Sequence, residues 1–298
     1  MGALLKTPRI RKTATPDLVH RWVRDLRGLL GRECFAVREV AVGVFYSAAQ
    51  ISTGHVGLAF TPRMLSDSVC CPKSAAAAPP AGTIAGRDAW DVATFASSPT
   101  PLRRAVGIAV LNALSALAID RHGTPGGHIE RGLDALDTAD IRPHDRVVMV
   151  GAFTPFLKKL KGRVAGLRVI DNHPEALKVD EIGIWCSPFQ AAEVLASANV
   201  VIISGSALVE GDLDSLLLST TNARRVVLAG PTASPWPPTF FESGIDVLGG
   251  LRVLDAAKII QIVTEGGSGY FFGDAAEKIC IIRDGGASAL RTRESGHA

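Results

Sequence analysis

Apolar runs that end on glycine, hydroxyl or acidic residues set the pattern of the second half of the chain. Val147-Val-Met-Val150 runs straight into Gly151-Ala-Phe-Thr154, and Val169-Ile170 into Asp171-Asn-His173. Val201-Ile-Ile203 ends on Ser204-Gly-Ser206, and Val226-Val-Leu-Ala229 on Gly230-Pro-Thr232. Short apolar runs bounded in this way read as strands buried on both faces. Segments of helical character at 155–161, 188–198, 213–219, 239–243 and 256–265 lie between and after them. The alternation predicts an α/β fold with a Rossmann-like parallel sheet and right-handed crossovers. Ile245-Asp-Val-Leu248 and Lys278–Ile282 are candidates for late strands. In such sheets ligands bind beyond the carboxyl ends of the strands, where the strand order reverses. The place of a site is therefore better specified than its chemistry.

The first half has a different rhythm. Thr15-Pro16-Asp17 reads as a helix start, with a cap, a first-turn proline and an acid. Leu18, Trp22, Val23, Leu26, Leu29 and Leu30 follow at helical spacing, and Gly31 stops the helix. Residues 37–48 alternate, and a second extended run, Val56-Gly-Leu-Ala-Phe60, predicts an antiparallel hairpin with them. Residues 66–83, with an alanine run and Pro79-Pro80, read as a loop. Helices are expected at 85–96 and 101–119, the second apolar nearly all round after Arg104 and hence buried. Thr124-Pro-Gly-Gly127 reads as a linker signal. The expected organisation is a first domain at 1–122, a linker at 123–144, a Rossmann-like domain at 145–284 and a loose tail at 285–298.

A formal charge of +3, with Lys and Arg scattered, gives no case for a nucleic-acid partner. The basic residues Lys6, Arg9, Arg11 and Lys12 read as a solvated terminus. No uninterrupted apolar stretch predicts a bilayer span, and no signal core precedes a small-residue cleavage site. The expectation is a cytoplasmic protein with no membrane partner. Five irregularly spaced cysteines, an odd number without a Cys-x-x-Cys pair, predict no disulfide framework.

Four constellations lie at expected strand ends. Gly151 lets backbone approach a ligand, and the helix opening near Thr154 offers N–H groups to an anion. This turn has one glycine where a dinucleotide fingerprint has three, and it is not a P-loop. Asp171 stands where an acid takes ribose hydroxyls, or where it caps its own turn; Asn172 and His173 follow. Ser204-Gly205-Ser206 could hold an anion or carbonyl, with Glu210 and Asp212 as acid/base groups, hard-cation ligands or helix-terminal charges. Gly230-Pro231-Thr232 opens a loop with four prolines, stiff enough for a pocket wall. Cys70 and Cys71 could ligate a soft metal only on irregular backbone, since neighbours on a strand face opposite ways.

The chain resembles the putative heavy-metal chelation family. The resemblance rests on Val42-Gly-Val-Phe-Tyr46, Gly57-Leu-Ala-Phe-Thr61, Asn112-Ala-Leu-Ser115, Asp145-Arg-Val-Val-Met-Val-Gly151, Ala198 to Ser206, Gly230-Pro-Thr232, Gly244-Ile-Asp-Val-Leu-Gly-Gly250 and Glu265-Gly-Gly267. It implies an enolase-N-terminal-like α+β domain before the Rossmann-like domain. It also implies an interdomain cleft binding a transition or heavy-metal ion or a metal-bearing small molecule. Thr53, Gly54 and Asn112 would join Gly151, Thr154, Asp171, Asn172, Ser204, Gly205, Ser206, Glu210, Gly230, Pro231 and Thr232 around the ligand. Asp171, His173, Glu210, Cys70 and Cys71 are the candidate metal ligands, and a homodimer is compatible with the pattern. Where relatives tend to carry Asn-Gly-Thr, this chain has Glu210-Gly-Asp212, which favours a more cationic ligand. The alternatives are an enzyme acting on a small anionic or nucleotide-like substrate, S-adenosylmethionine-dependent by the look of Arg142-Pro-His-Asp145, or an interaction scaffold with a degenerate pocket.

Overall fold

The computed structural model describes residues 17–62 and 78–285. Thr15, Pro16, Cys70, Cys71 and most of the expected tail lie outside the described residues. Helix α1 spans Leu18–Leu30, with Asp17 accepting from the His20 N–H as its cap. Strands β1 (Val37–Val42), β2 (Tyr46–Ile51) and β3 (Val56–Phe60) form an antiparallel sheet in that order. The expected two-stranded hairpin is thus a three-stranded meander, because the alternating run 37–48 turns at Gly43, whose N–H bonds the Tyr46 carbonyl. Helix α2 (Ala89–Ala93) and α3 (Pro101–His122) complete this half.

The second half is an eight-stranded sheet. Its strands are β4 (Gly127–Arg131), β5 (Arg146–Val150), β6 (Gly166–Ile170), β7 (Trp185–Cys186), β8 (Val200–Ser204), β9 (Arg225–Ala229), β10 (Val247–Val253) and β11 (Ala276–Arg283). Their order is β4-β11-β10-β9-β8-β5-β6-β7. The six strands from β10 to β7 are parallel, while β11 runs antiparallel to β10 and to β4. Helices α4 (Thr154–Leu160), α5 (Ala191–Ala196), α6 (Ser206–Glu210), α7 (Leu213–Leu218), α8 (Pro237–Glu242) and α9 (Ala256–Thr264) fall between strands. Reading only the parallel strands gives the doubly wound order, with the reversal between β5 and β8. The expected linker needs correcting at residues 127–131, which form edge strand β4 on β11. Its sequence, Gly-His-Ile-Glu-Arg, holds one apolar residue, so backbone pairing rather than hydrophobic pattern makes it a strand.

Helix α3 joins the two halves. Its residues from Ala105 to Ser115 are all buried. It is long and apolar enough to cross a membrane by length and composition, unlike the sequence expectation, yet its windings are packed inside the protein. One face meets β3 so closely that a Cβ on Gly57 would lie 2.1 Å from the Ala109 carbonyl oxygen and 2.3 Å from the Ala113 nitrogen. Only glycine permits that approach, since both neighbours are helix backbone. On this contact sits Asn112, 1% exposed. Its Nδ2 donates to the Leu58 carbonyl at 2.7 Å and to the Thr232 carbonyl at 2.9 Å. The Phe60 N–H donates to Thr232 Oγ1 at 2.9 Å. Strand β3, helix α3 and the loop after β9 are thereby fastened at one point. Helix α1 adds a second seam, with Trp22 edge-on to Phe240 at 5.2 Å and Thr239 donating to Asp25 at 2.8 Å.

Asn112→Ala leaves two buried carbonyls without their donor and is expected to cost about 2–4 kcal/mol. Urea denaturation followed by circular dichroism checks this. A loss below about 0.5 kcal/mol, the range of an ordinary surface substitution, would contradict the fastening role.

Candidate functional site

The reversal of strand order places the ends of β5 and β8 side by side. Gly151 leaves β5 at φ +90, and a Cβ there would stand 2.9 Å from the Ser204 Cβ. Glycine is needed both for the turn and for the contact. Ser204 Oγ accepts the Ser206 N–H at 3.2 Å, which starts α6. A Cβ on Gly205 would lie 2.9 Å from the Thr232 Cβ, and Gly230 faces the Phe153 ring. Gly151, Ser204, Gly205, Ser206, Gly230, Pro231 and Thr232 are therefore brought to one carboxyl edge. Thr232 and Asn112 are buried and tied to each other, so they form the floor, and Asn112 Oδ1 is buried there without a partner among the described residues. Thr154 is exposed at the start of α4.

Asp171 joins this edge from β6. Its Oδ2 accepts the Ala152 N–H at 2.9 Å and its Oδ1 the His173 N–H at 2.9 Å. The carboxylate thus holds two turns, and it occupies the first N–H of the Gly151 turn that a nucleotide phosphate would use. Asn172 is exposed. His173 turns away to Glu175, with Nδ1 and Oε1 2.8 Å apart. Among the described residues, which do not include Cys70 and Cys71, no three His, Cys, Asp or Glu side chains converge as a metal cluster.

The strongest electrostatic feature lies just beyond α6. Desolvation by the surrounding protein raises the Glu210 carboxyl from its ordinary value although the residue as a whole is exposed, and the Asp212 and Asp171 carboxylates push it further, against the weaker pull of His173 and Arg104. Burial likewise raises Asp212, against a hydrogen bond from its own backbone and the charge of Arg104, and its buried Oδ1 has no hydrogen-bond partner among the described residues. Arg104 of α3 is the base whose charge acts on both acids. Its guanidinium is committed to backbone, donating to the Val209 and Glu210 carbonyls at the end of α6 and to the Ser98 carbonyl. Arg104 was not among the expected site residues, although the Arg103-Arg104 pair that opens a helix apolar from Ala105 to Ile119 apart from Asn112 and Ser115 is a signal for it.

Two expected features lie elsewhere. Thr53 and Gly54 belong to the β2–β3 turn, at the opposite end of β3 from the Phe60–Thr232 bond, and line a separate space between the halves. Arg142 and Asp145 belong to an ion-pair cluster. Burial pushes the Asp145 carboxyl up, but hydrogen bonds from Arg224 and the Arg142 N–H outweigh it and leave the group below its ordinary value. This cluster braces the start of β5, at the end opposite to Gly151.

Known proteins give the same architecture. Residues 29–115 and 134–281 match two family models, DUF4213 and DUF364, each described as "Putative heavy-metal chelation". A solved structure of a DUF364-family protein of unknown function from Pyrococcus horikoshii is similar with a TM-score of 0.73 and 19% identity, over 90% of this chain and 100% of that one. One from Desulfitobacterium hafniense gives 0.70 and 21%, over 89% and 98%. The uncharacterized protein MJ0500 of Methanocaldococcus jannaschii is 26% identical over 59% of this chain, which spans 65% of that relative's length. The fold is that of these structures, and the chain belongs to the putative heavy-metal chelation family.

Proposed function

We propose that the protein binds a heavy metal, as an ion or carried by a small molecule, at the carboxyl edge of the sheet beside Glu210, Asp212 and Asp171. The observation that supports this most is the buried Asp212 oxygen without a partner, beside a Glu210 carboxyl whose proton affinity is raised by its acidic neighbours. Buried carboxylate oxygens are normally bonded, and an unmatched one needs an explanation. A cation supplies one, because it replaces the missing donor and relieves the repulsion. The described donors do not enclose a bare ion, so a metal that brings ligands of its own fits better than a naked one. Ser204, Ser206 and the exposed edge of the Gly230–Thr232 loop then contact the carrier, while Gly151 and Asn112 shape the floor.

Equilibrium dialysis with elemental analysis tests this, using Cu2+, Ni2+, Zn2+ and Co2+ as free ions and as their histidine complexes. Wild-type protein is expected to retain a stoichiometric metal, and Glu210→Gln and Asp171→Asn to weaken retention about 10–100-fold, the range seen when groups supporting a metal are removed. Equal retention in all three proteins would sink the assignment.

The same acids carry a pH signature. A carboxyl with a raised folded pKa favours the folded state most below its unfolded value of 4.5, and that contribution is lost as pH rises through the folded pKa. Removing the Glu210 charge should therefore stabilise the metal-free protein at neutral pH. Glu210→Gln is expected to raise Tm slightly at pH 7, within what a solvent-screened charge allows, and to give no rise near pH 4. A lowered Tm at pH 7 would mean that the carboxylate is favourably partnered in the fold.

A further inference from the structure

A cleft of about 720 Å3 lies between the β2–β3 turn, the last turns of α3, and strands β4, β10 and β11. Its volume is that of an ordinary small-molecule site. It is built from both halves and shares no lining residue with the acidic edge described above. Its floor is apolar, with Val56 and Ile119 from the first half facing Ile129 and Ile279 from the second. Its rim is polar and connected. Thr53 Oγ1 lies 2.9 Å from His55 Nδ1, and His55 Nε2 lies 3.3 Å from Asp120 Oδ2. The other oxygen of Asp120 pairs with Arg252 at 3.2 Å, across the two halves. His55 thereby bridges the Thr53 hydroxyl and the Asp120 carboxylate.

Two arginines therefore stand on one rim, Arg252 on β10 and Arg131 on β4. Each has one carboxylate partner, Asp120 for Arg252 and Glu277 for Arg131. A guanidinium carries five N–H donors in a planar fork suited to carboxylate or phosphate oxygens. Asp120 is the one carboxylate lining the cleft, and it is already held by His55 and Arg252. An apolar floor under a rim of two arginines selects a molecule with a hydrocarbon or aromatic body and one anionic head. We infer that this interdomain cleft is a second ligand site, for an apolar organic monoanion bound through Arg252 and Arg131. The inference is independent of the metal reading, since it concerns the opposite charge at different residues.

The test uses the full chain without metal and 8-anilinonaphthalene-1-sulfonate, a fluorescent apolar monoanion. Wild-type protein is expected to give one saturable site. Decanoate should displace the probe, and decanol at the same concentration should not. The double variant Arg131→Gln and Arg252→Gln is expected to bind at least about tenfold more weakly, as loss of charge-assisted bonds implies. Ala116→Trp, which fills the cleft from α3, should remove the site. Circular dichroism shows that each variant folds, and the arginine variant alone carries the test if Ala116→Trp does not. No saturable binding, or binding unchanged by loss of both arginines, would overturn the inference. Equal displacement by decanol would also overturn it, marking nonspecific apolar adsorption such as on the exposed Tyr270 and Phe271.

Discussion

The backbone contact between β3 and α3 is the constraint on which the rest of the arrangement depends. Gly57 brings the strand against the helix with no room for a side chain, and Asn112 turns that contact into a joint with the loop after β9. Helix α3 is the common wall of both halves: one core cluster includes Val106 and Leu114 of α3 together with Val201 and Leu228 of the parallel sheet. A polar residue in this wall has a defined cost if unmatched, and two of its bonds cross between elements far apart in sequence. The joint thereby sets how the first half sits over the carboxyl edge of the second.

From that placement two chemically opposite regions follow. At one end of α3, Arg104 ties down the end of α6 and leaves Glu210 and Asp212 in an acidic neighbourhood that its charge only partly offsets. At the other end, Asp120 links His55 to Arg252 and closes the rim of a cleft with an apolar floor and two ion-paired arginines. The helix separates these regions, so occupation of one need not disturb the other through direct contact. Both lie where the halves meet, and both use residues from each half.

The fold was legible in the sequence wherever hydrophobic pattern decides structure. Strands β5, β8 and β9 each carry an apolar run of four residues and β6 ends on Val169-Ile170, and the polar and glycine residues that follow these runs mark the carboxyl edge. Helix α1 was legible from its spacing and from Gly31. Strand β4 was not, because an edge strand with one apolar residue is specified by the partner it bonds. The first sheet gained a strand for a related reason: an alternating run gives no sign of a turn unless its glycine is weighed. At the site, Ser204, Gly205 and Thr232 could be located, but the direction of Asp171 could not. Its carboxylate faces two backbone N–H groups, which only the turn geometry reveals. The chain His55–Asp120–Arg252 joins residues up to two hundred positions apart and has no local signature.

Under the proposed function, the acidic edge carries a metal-bearing ligand. Native mass spectrometry with elemental analysis, on full-length protein purified without chelator, tests it most directly. A stoichiometric metal is expected, with or without an added organic mass, and it is lost in Glu210→Gln. A metal-free mass for wild-type protein that persists after incubation with the metal–histidine complexes would contradict it.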